Sequence, residues 1–273
     1  MRTLFYGNRV TDVWKCCRCQ EGIMKLARVR WAEETLWVEV AGDTLYRIEG
    51  EWFVASGRRP KLGALAQATL LPPIEPHNKV IGLLGNYGAK GERKGPGVFV
   101  KPNSAVIGQG EDMVWPRGIG SVGFEAELAV VVGKRAKHLS LDNAMNHVMG
   151  YTIANDTTSF AVAKEDGRGS TRFKSFDTFF PVGPWIVTGL DGDNLRLTSR
   201  LNGVTKQDAS TSQMAFGIAE ALAWVTSIMT LEPGDMISMG TPPGYADMSP
   251  GDLIECEIEG IGVLANRLVE EQA

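Results

Sequence analysis

The sequence predicts a mainly β fold of the α+β type, with a small N-terminal β-rich domain followed by a larger domain. The chain of 273 residues is long enough for two unequal domains. Short runs rich in β-branched residues outnumber helical patterns along it. A proline-rich segment separates the expected domains, residues 1–71 and 72–273, and residues 1–23 are a candidate upstream extension.

The N-terminal domain is expected to be a meander of half-buried strands. Apolar and polar residues alternate in short runs separated by turn-forming residues. These runs are LARVRW, TLWVEV, TLYRIEG and EWFVA. The boundary follows at Pro72, Pro73 and Pro76, because proline continues neither a helix nor an internal strand.

Strand patterns also dominate the second domain. Glycine, proline or aspartate bounds each apolar run, as is typical of strands that end in turns. The runs are KVIGLLG, VFVKP, SAVIG, FEAELAVVVGK, MGYTIAN, FFPVGPWIVTG, DMISMG and DLIECEIEGIGVLANRLVE.

Two segments of the second domain predict helices. The first is SLDNAMNHVMG, about three turns long, with Ser140 as its N-cap and Gly150 as its stop. In the second, apolar residues recur every three or four positions from Met214 to Met229, before Pro233. One apolar stripe of the second helix is expected to be buried.

Composition and charge exclude several classes of protein. A net charge of -4 without blocks of like charge argues against nucleic-acid binding. No apolar run approaches the roughly 18 residues of a membrane span, and no signal peptide is evident, so we expect a cytoplasmic protein. Cys16, Cys17, Cys19 and Cys256 form neither a disulfide framework nor a zinc-site pattern. A small-molecule partner is favoured.

The run FEAELAVVVGK places two carboxylates on one face of a strand. The strand period of two aligns Glu125 with Glu127 beside apolar residues. Two like charges partly removed from water are costly unless a cation lies between them, which indicates a bound divalent metal. The alternative is an edge strand with a solvated glutamate face.

A third carboxylate favours the metal site. Asp156 follows the strand-like run MGYTIAN, so it lies at a sheet end together with Asn155. Oxygen ligands alone favour Mg²⁺, Mn²⁺ or Ca²⁺ over zinc or copper. His77, His138 and His147 are interpreted as structural.

The second domain resembles the fumarylacetoacetate hydrolase family over roughly residues 72–268. The resemblance depends on stretches in this order: PPIEPHNKVIGLLGNY, VFVKPNSAVIG, FEAELAVVVGK, MGYTIANDTT, KSFDTFFPVGPWIVT, LNGVTKQDAS, TLEPGDMISMGTPPGY and IEGIGVLANRL. It implies a mixed β-sandwich-roll catalytic domain, a homodimer, and Mg²⁺ or Mn²⁺ held by Glu125, Glu127 and Asp156.

The resemblance also implies roles for four other residues. Lys101 corresponds to a lysine that faces the site, and Lys174 to one that stabilises an oxyanion or enolate, as a fixed ammonium can. The alternative for Lys174 is a surface pair with Asp177. Thr241 corresponds to a threonine that contacts the substrate carboxylate, and Gly240 lets the backbone approach closely.

The chain departs from the family pattern at two places. Hydrolytic and decarboxylating relatives carry a histidine and a glutamate on a short lid helix, where this chain has Lys90 and Arg93. Glu92 is adjacent to this position, so Lys90, Glu92 and Lys174 are the candidate bases for activating water. Relatives also carry arginine, aspartate and glutamine where this chain has Phe160, Ala161 and Ala163, which indicates a larger, more apolar substrate.

The leading hypothesis is a metal-dependent enzyme that cleaves a C–C bond of an oxo-acid by hydrolysis, in the catabolism of aromatic compounds. The substrate would be a diketo acid or acylpyruvate-like molecule whose enolate the metal stabilises. One alternative is decarboxylation or isomerisation, which needs no attacking water. A further alternative is a metal-binding homologue without catalysis.

Overall fold

The computed structural model describes residues 22–52, 59–167, 169 and 171–272. Almost all of the candidate extension, residues 1–23, therefore lies outside the described residues, as do Cys16, Cys17 and Cys19. Of the expected strand EWFVA, only Glu51 and Trp52 are described, and neither is in a strand. The described part of the chain is mainly β, as the sequence predicts.

The N-terminal strands form an antiparallel meander. They are β1 (Lys25–Trp31), β2 (Glu34–Ala41), β3 (Thr44–Arg47), β4 (Lys61–Ala64) and β5 (Thr69–Leu71). Strands β4, β3, β2 and β1 are neighbours in that order, and β5 pairs with the other edge of β1. The domain boundary after residue 71 stays a prediction.

The second region contains fifteen further strands within the described residues. They are β6 (Val80–Leu84), β7 (Gly97–Lys101), β8 (Val106–Ile107), β9 (Met113–Trp115), β10 (Val122–Gly123), β11 (Ala126–Val132), β12 (Val148–Asn155), β13 (Thr158–Ser159), β14 (Phe180–Val187), β15 (Arg196–Leu201), β16 (Val204–Ser210), β17 (Met236–Ser238), β18 (Asp247–Met248), β19 (Leu253–Ile258) and β20 (Gly262–Glu270). Pairing of β1 with β14 joins the N-terminal meander to the main sheet, so both regions share one continuous sheet.

Three sheets organise these strands. The main sheet runs β4-β3-β2-β1-β14-β12-β11-β17-β6-β7, with β5 on β1 and β8 on β14. A five-stranded sheet runs β16-β15-β19-β20-β9, and a small one runs β13-β10-β18. The small sheet joins the segments that precede Glu125 and follow Asp156.

Strand β11 lies between β12 and β17 in the middle of the main sheet. All seven of its residues are buried. Leu128 and Val130 pack in one core cluster with the five-stranded sheet, and Ala129 and Val131 pack in another on the opposite face. Burial on both faces explains the continuous apolar run. The edge-strand interpretation of Glu125 and Glu127 is therefore wrong.

The helices are few and short: α1 (Leu141–Ala144), α2 (Phe160–Asp166), α3 (Thr171–Lys174) and α4 (Ile218–Ile228). The expected three-turn helix from Ser140 to Gly150 is wrong in length. It ends after one turn and a 3₁₀ segment, because β12 already begins at Val148 and pairs there with Val132. In α4, Ile218, Leu222 and Val225 are buried, as the apolar period predicts.

Strands β15 and β16 have no counterpart among the predicted strands. Their hairpin turns at Asn202 and Gly203, both with positive φ, which is the geometry that Asn-Gly pairs favour between two strands. The Asn-Gly dipeptide was the available sequence signal for this hairpin. Most of β16 is exposed and polar, so the strand itself carries no apolar pattern. Among the described residues, no helix is long and apolar enough to cross a membrane.

Candidate active site

Two of the predicted ligands meet where β11 and β12 pair. The register places Ala126 opposite Asn155, so Glu125 and Asp156 lie next to each other at that end of the two strands. The Asn155 Oδ1 accepts from the Glu125 backbone N–H at 2.9 Å, and the Asp156 N–H donates to the Glu125 carbonyl at 2.9 Å. Backbone pairing therefore fixes both carboxylates.

Glu127 is the third carboxylate, and two donors from β17 and its following loop hold it. Its Oε2 accepts from Ser238 Oγ at 2.6 Å and from the Gly240 N–H at 2.9 Å. Only 2% of Glu127 is exposed. One oxygen from each of Glu125, Glu127 and Asp156 lies within 4.8 Å of the others. The structure thus brings the predicted triad together.

Two lysines neutralise this triad. Lys174, buried on the short helix α3, donates to the carboxylates of both Glu125 and Asp156. Lys101, at the end of β7, lies 2.7 Å from Asp156 Oδ1 and donates to the carbonyls of Thr157 and Phe179. The surface pair of Lys174 with Asp177 is therefore not what the structure contains.

Burial and charge shift the pKa values of these groups in different directions. Burial, reinforced by the charges of Asp156 and Glu125, raises the pKa of Glu127 to about 8. Burial also lowers the pKa of Lys101 to about 8, against the opposing charge of Asp156. Burial disfavours the charged form of Lys174 as well, but the charges of the carboxylates outweigh it and hold its pKa above the usual range.

The residues present fit a hard divalent cation. Carboxylate oxygens are the ligands that Mg²⁺, Mn²⁺ and Ca²⁺ prefer. Asp156 Oδ1 is buried, and its partner among the described residues is the Lys101 ammonium, 2.7 Å away in an ion pair. Burial first, and then the charges of Asp156 and Glu125, raise the pKa of Glu127, so a cation bound beside it would favour its ionised form. Glu125, Glu127 and Asp156 would hold the ion.

Magnesium binding is expected to displace a proton from Glu127. With a pKa of about 8, its carboxyl is protonated below that pH in the metal-free protein, whereas a ligand must be ionised. The affinity for Mg²⁺ should therefore rise about tenfold per pH unit from pH 6 and level off near pH 8. Calorimetric titration at pH 7 in two buffers of different ionisation enthalpy checks this, and equal apparent enthalpies would contradict it.

Thr241 and Gly240 lie beside the triad, in the loop after β17. The Thr241 hydroxyl donates to the Ala126 carbonyl at 2.8 Å and accepts from Gln207 Nε2 at 2.8 Å. Gly240 has a φ of +89°, and an added Cβ would lie 3.0 Å from that of Asn86. Both residues position the strand that carries Glu127. Their contact with substrate stays a prediction.

The loop that carries Lys90 and Glu92 is fastened to helix α4. The Lys90 ammonium donates to Glu220 Oε1 at 2.6 Å and lies 4.6 Å from the ring centre of Phe216. Trp224 of α4 donates to the Pro96 carbonyl. Lys90 and Glu92 are both exposed. Their role as bases stays a prediction. The Lys90 ammonium is already engaged in the ion pair with Glu220.

Arg93 organises the same loop from within. Its guanidinium donates to the carbonyls of Gly85, Ala89 and Lys90. A side chain that holds three backbone carbonyls stabilises one loop conformation. Arg93 is therefore committed to the loop itself, in the position where relatives carry the lid glutamate.

An aromatic pair lies against β10, the strand that precedes Glu125. The rings of Phe160 and Tyr245 lie 5.3 Å apart, and half of Tyr245 is exposed. The Phe160 ring covers Gly123, where an added Cβ would lie 2.2 Å from the ring. Gly123 lies two residues before Glu125, so the surface next to this part of the chain is aromatic.

Ser238, Gln207 and Tyr87 are not among the residues predicted from the sequence. Ser238 holds Glu127, and Gln207 holds Thr241. The Tyr87 hydroxyl is buried without a hydrogen-bond partner among the described residues. Tyr87 stands in the Asn-Tyr pair before the lid position, which was the one available signal for it. Nothing in the local pattern pointed to Ser238 or Gln207, because their partners lie far away in sequence.

The fold and the site together define a class of proteins with a mixed β architecture and a carboxylate triad for a divalent cation, backed by two buried lysines. Comparison with known proteins agrees with this class. The family model for the fumarylacetoacetate (FAA) hydrolase C-terminal domain matches residues 82–269. The chain belongs to the fumarylacetoacetate hydrolase family.

Relatives in this family have several activities. The chain is 35% identical over 220 residues to the mitochondrial oxaloacetate tautomerase Fahd2a of Rattus norvegicus, covering 75% of this chain and 70% of the relative. It is 36% identical to the 2-hydroxyhepta-2,4-diene-1,7-dioate isomerase of Mycobacterium marinum, with a TM-score of 0.84 over 92% of this chain and 100% of that one.

A hydrolase is also among the similar structures. The maleylpyruvate hydrolase of Sphingobium sp. SYK-6, in complex with manganese(II) ion and pyruvate, is 29% identical. Its TM-score is 0.76 over 91% of this chain and 100% of that one. The family is enzymatic, and its members divide between isomerising and hydrolytic reactions.

Proposed function

We propose that the protein is a divalent-metal-dependent enzyme that isomerises or decarboxylates an oxo-acid through its enol or enolate. The observation that carries this proposal is the buried Lys174 ammonium between Glu125 and Asp156. Within the described residues it donates to these two carboxylates and lies 5.3 Å from the centre of the Phe99 ring, and its remaining N–H is the proposed donor to a substrate oxygen. A fixed ammonium stabilises negative charge that develops on that oxygen.

The ion would complete the electrostatic site. When bound by Glu125, Glu127 and Asp156, Mg²⁺ or Mn²⁺ supplies Lewis-acid stabilisation of an enolate. The manganese(II) ion in the similar maleylpyruvate hydrolase supports this cofactor class. Lys101 pairs with Asp156 Oδ1 while Lys174 contacts Oδ2, and the Lys101 ammonium also donates to two backbone carbonyls, so it helps to hold Asp156 in place.

The fastened loop favours isomerisation or decarboxylation over hydrolysis. Hydrolysis needs a base that activates water, and the Lys90 ammonium is instead paired with Glu220. Decarboxylation forms the enolate by loss of CO₂ and needs neither an attacking water nor a base, and isomerisation needs proton transfer at carbon but no attacking water. The oxaloacetate tautomerase and the dioate isomerase among the relatives support this choice.

Hydrolytic C–C cleavage, the leading hypothesis from the sequence, is the second candidate. The similar maleylpyruvate hydrolase favours it. Exposed Glu92 would then serve as the base after a movement of its loop. A role in aromatic catabolism, a cytoplasmic location and a homodimer belong to the proposal as expectations. A metal-binding homologue without catalysis is the outcome if no oxo-acid reacts.

The substrate we propose is an oxo-acid with an apolar substituent. Phe160 and Tyr245 offer an aromatic surface beside Glu125, where an arginine would select a second carboxylate. Acylpyruvates and 2-hydroxydienoates with hydrocarbon tails meet this requirement. Oxaloacetate is the matched dicarboxylate for comparison.

Turnover of an oxo-acid panel tests the proposed function. We expect metal-dependent ultraviolet changes with acylpyruvates, 2-hydroxydienoates or oxaloacetate, abolished by EDTA, with products that keep the substrate mass or lose CO₂. Solvent deuterium should enter the carbon next to the carbonyl. Products that gain one water would instead establish hydrolysis, and the Lys90→Ala and Glu92→Ala variants would then identify the base. Absence of turnover with every oxo-acid of the panel would contradict the proposal that the protein is an oxo-acid enzyme.

A further inference from the structure

We propose that the Tyr87 hydroxyl donates a hydrogen bond to an oxygen of the oxo-acid ligand, which makes Tyr87 a further catalytic residue of this site. The inference deepens the proposed function, because it assumes an oxygen-rich anionic ligand at the triad. It depends on the anchoring of Tyr87, the state of its hydroxyl and the charge that faces it.

The backbone before Tyr87 is anchored to the Glu127 side of the site. The Asn86 side chain donates to the carbonyls of Met239 and Phe216 and accepts from the Phe216 N–H. Its Cβ lies against Gly240, whose N–H donates to Glu127 at 2.9 Å. Tyr87 therefore directly follows Asn86, a residue that packs on the Gly240 backbone that hydrogen-bonds Glu127.

The Tyr87 side chain is partly exposed, yet its hydroxyl is buried and lacks a hydrogen-bond partner among the described residues. A buried polar group without a partner lowers stability, commonly by an amount comparable to a lost hydrogen bond. Such a group persists where function requires it. The phenol tip is thus buried with a donor that no described group accepts.

The Glu127 carboxylate interacts electrostatically with the Tyr87 hydroxyl. Burial and the Glu127 charge together hold the pKa of Tyr87 above its usual range. The hydroxyl therefore keeps its proton at neutral pH, so it acts as a donor and not as a base. Its natural acceptor is an oxygen lone pair of an anionic ligand, since a 2-oxo acid or its enolate presents several.

Oxalate is a suitable probe, because this dianion with adjacent carboxylates resembles the enolate of a 2-oxo acid. We expect the Tyr87→Phe variant to bind oxalate, in the presence of Mg²⁺, at least about tenfold more weakly than the unaltered protein. Its affinity for Mg²⁺ alone should be unchanged. Calorimetric titration measures both quantities.

Thermal unfolding separates a ligand-binding role from a structural one. Because the hydroxyl has no protein partner, Tyr87→Phe should be at least as stable as the unaltered protein. Tyr46→Phe, a hydroxyl deletion on strand β3 of the N-terminal meander, is the matched control and should leave oxalate affinity unchanged. Unchanged oxalate affinity in Tyr87→Phe, or a loss of affinity accompanied by an equal loss of stability, would overturn the inference.

The test also distinguishes this inference from the proposed function. If the unaltered protein turns over no oxo-acid but its oxalate affinity still depends on Tyr87, the catalytic proposal fails and the ligand contact stands. If turnover is observed and neither turnover nor oxalate affinity changes in Tyr87→Phe, the proposed function stands and the role of Tyr87 fails.

Discussion

Replacing Glu127 by glutamine should abolish metal-dependent turnover and lower Mg²⁺ affinity at least about 100-fold, since loss of a group that merely supports a ligand already costs about 10- to 100-fold. Glutamine keeps a carbonyl oxygen that accepts from the Ser238 hydroxyl and the Gly240 N–H, so both donors keep a hydrogen-bond partner. Alanine would leave both donors buried without a partner. Glu127→Gln is therefore the cleaner variant.

The metal-free Glu127→Gln protein should unfold at a temperature no lower than the unaltered protein does. The substitution removes the Glu127 carboxyl, whose pKa burial and the charges of Asp156 and Glu125 already raise. Addition of Mg²⁺ should stabilise the unaltered protein against heat but not the variant. Glu270→Gln, at the exposed end of β20, is the control. Mg²⁺ affinity in Glu127→Gln equal to that of the control would exclude Glu127 as a ligand.

Replacing Lys174 by methionine should have the second large effect. Lys174 is 1% exposed and neutralises Glu125 and Asp156 directly. Removing one partner of a buried ion pair costs about 3–5 kcal/mol of folding free energy, because the other charge is left uncompensated. Without the ammonium, turnover should also fall at least about 100-fold, as for loss of one oxyanion-stabilising donor.

The effect of metal on the stability of Lys174→Met tests whether the lysine acts through its positive charge. A divalent ion replaces the missing positive charge, so Mg²⁺ should raise the unfolding temperature of this variant more than that of the unaltered protein. Differential scanning calorimetry in EDTA and in Mg²⁺ measures this difference. Lys61→Met, an exposed substitution in β4, should resemble the unaltered protein. If Lys174→Met is as stable as that control in EDTA and still active, the lysine has no electrostatic role.

The prediction of strands succeeded where the sequence is apolar and failed where it is polar. Strand β11 is buried on both faces, so AELAVVV reads as a strand without ambiguity. Strand β16 lies at the edge of its sheet, and its exposed residues carry no apolar alternation. The helix predicted after Ser140 stops early because pairing of β12 with β11 outweighs the weak helical preference of a short segment.

The sequence by itself determined the chemistry of the triad. Strand periodicity placed Glu125 and Glu127 on one face, and the end of the MGYTIAN run placed Asp156 at a sheet end. The pairing of β11 with β12 is what brings the three carboxylates together. Oxygen-only ligands then indicated a hard divalent ion. These inferences are local, since each depends on residues within one strand or its end.

Only the tertiary structure decided what surrounds the triad. Ser238 and Glu127 are 111 positions apart, and Lys90 and Glu220 are 130 apart. Such contacts depend on how sheets and loops pack, and no periodic pattern encodes the register between distant elements. For the same reason, only the packed fold showed that the Lys174 ammonium is buried between carboxylates and that the Tyr87 hydroxyl is buried without a partner.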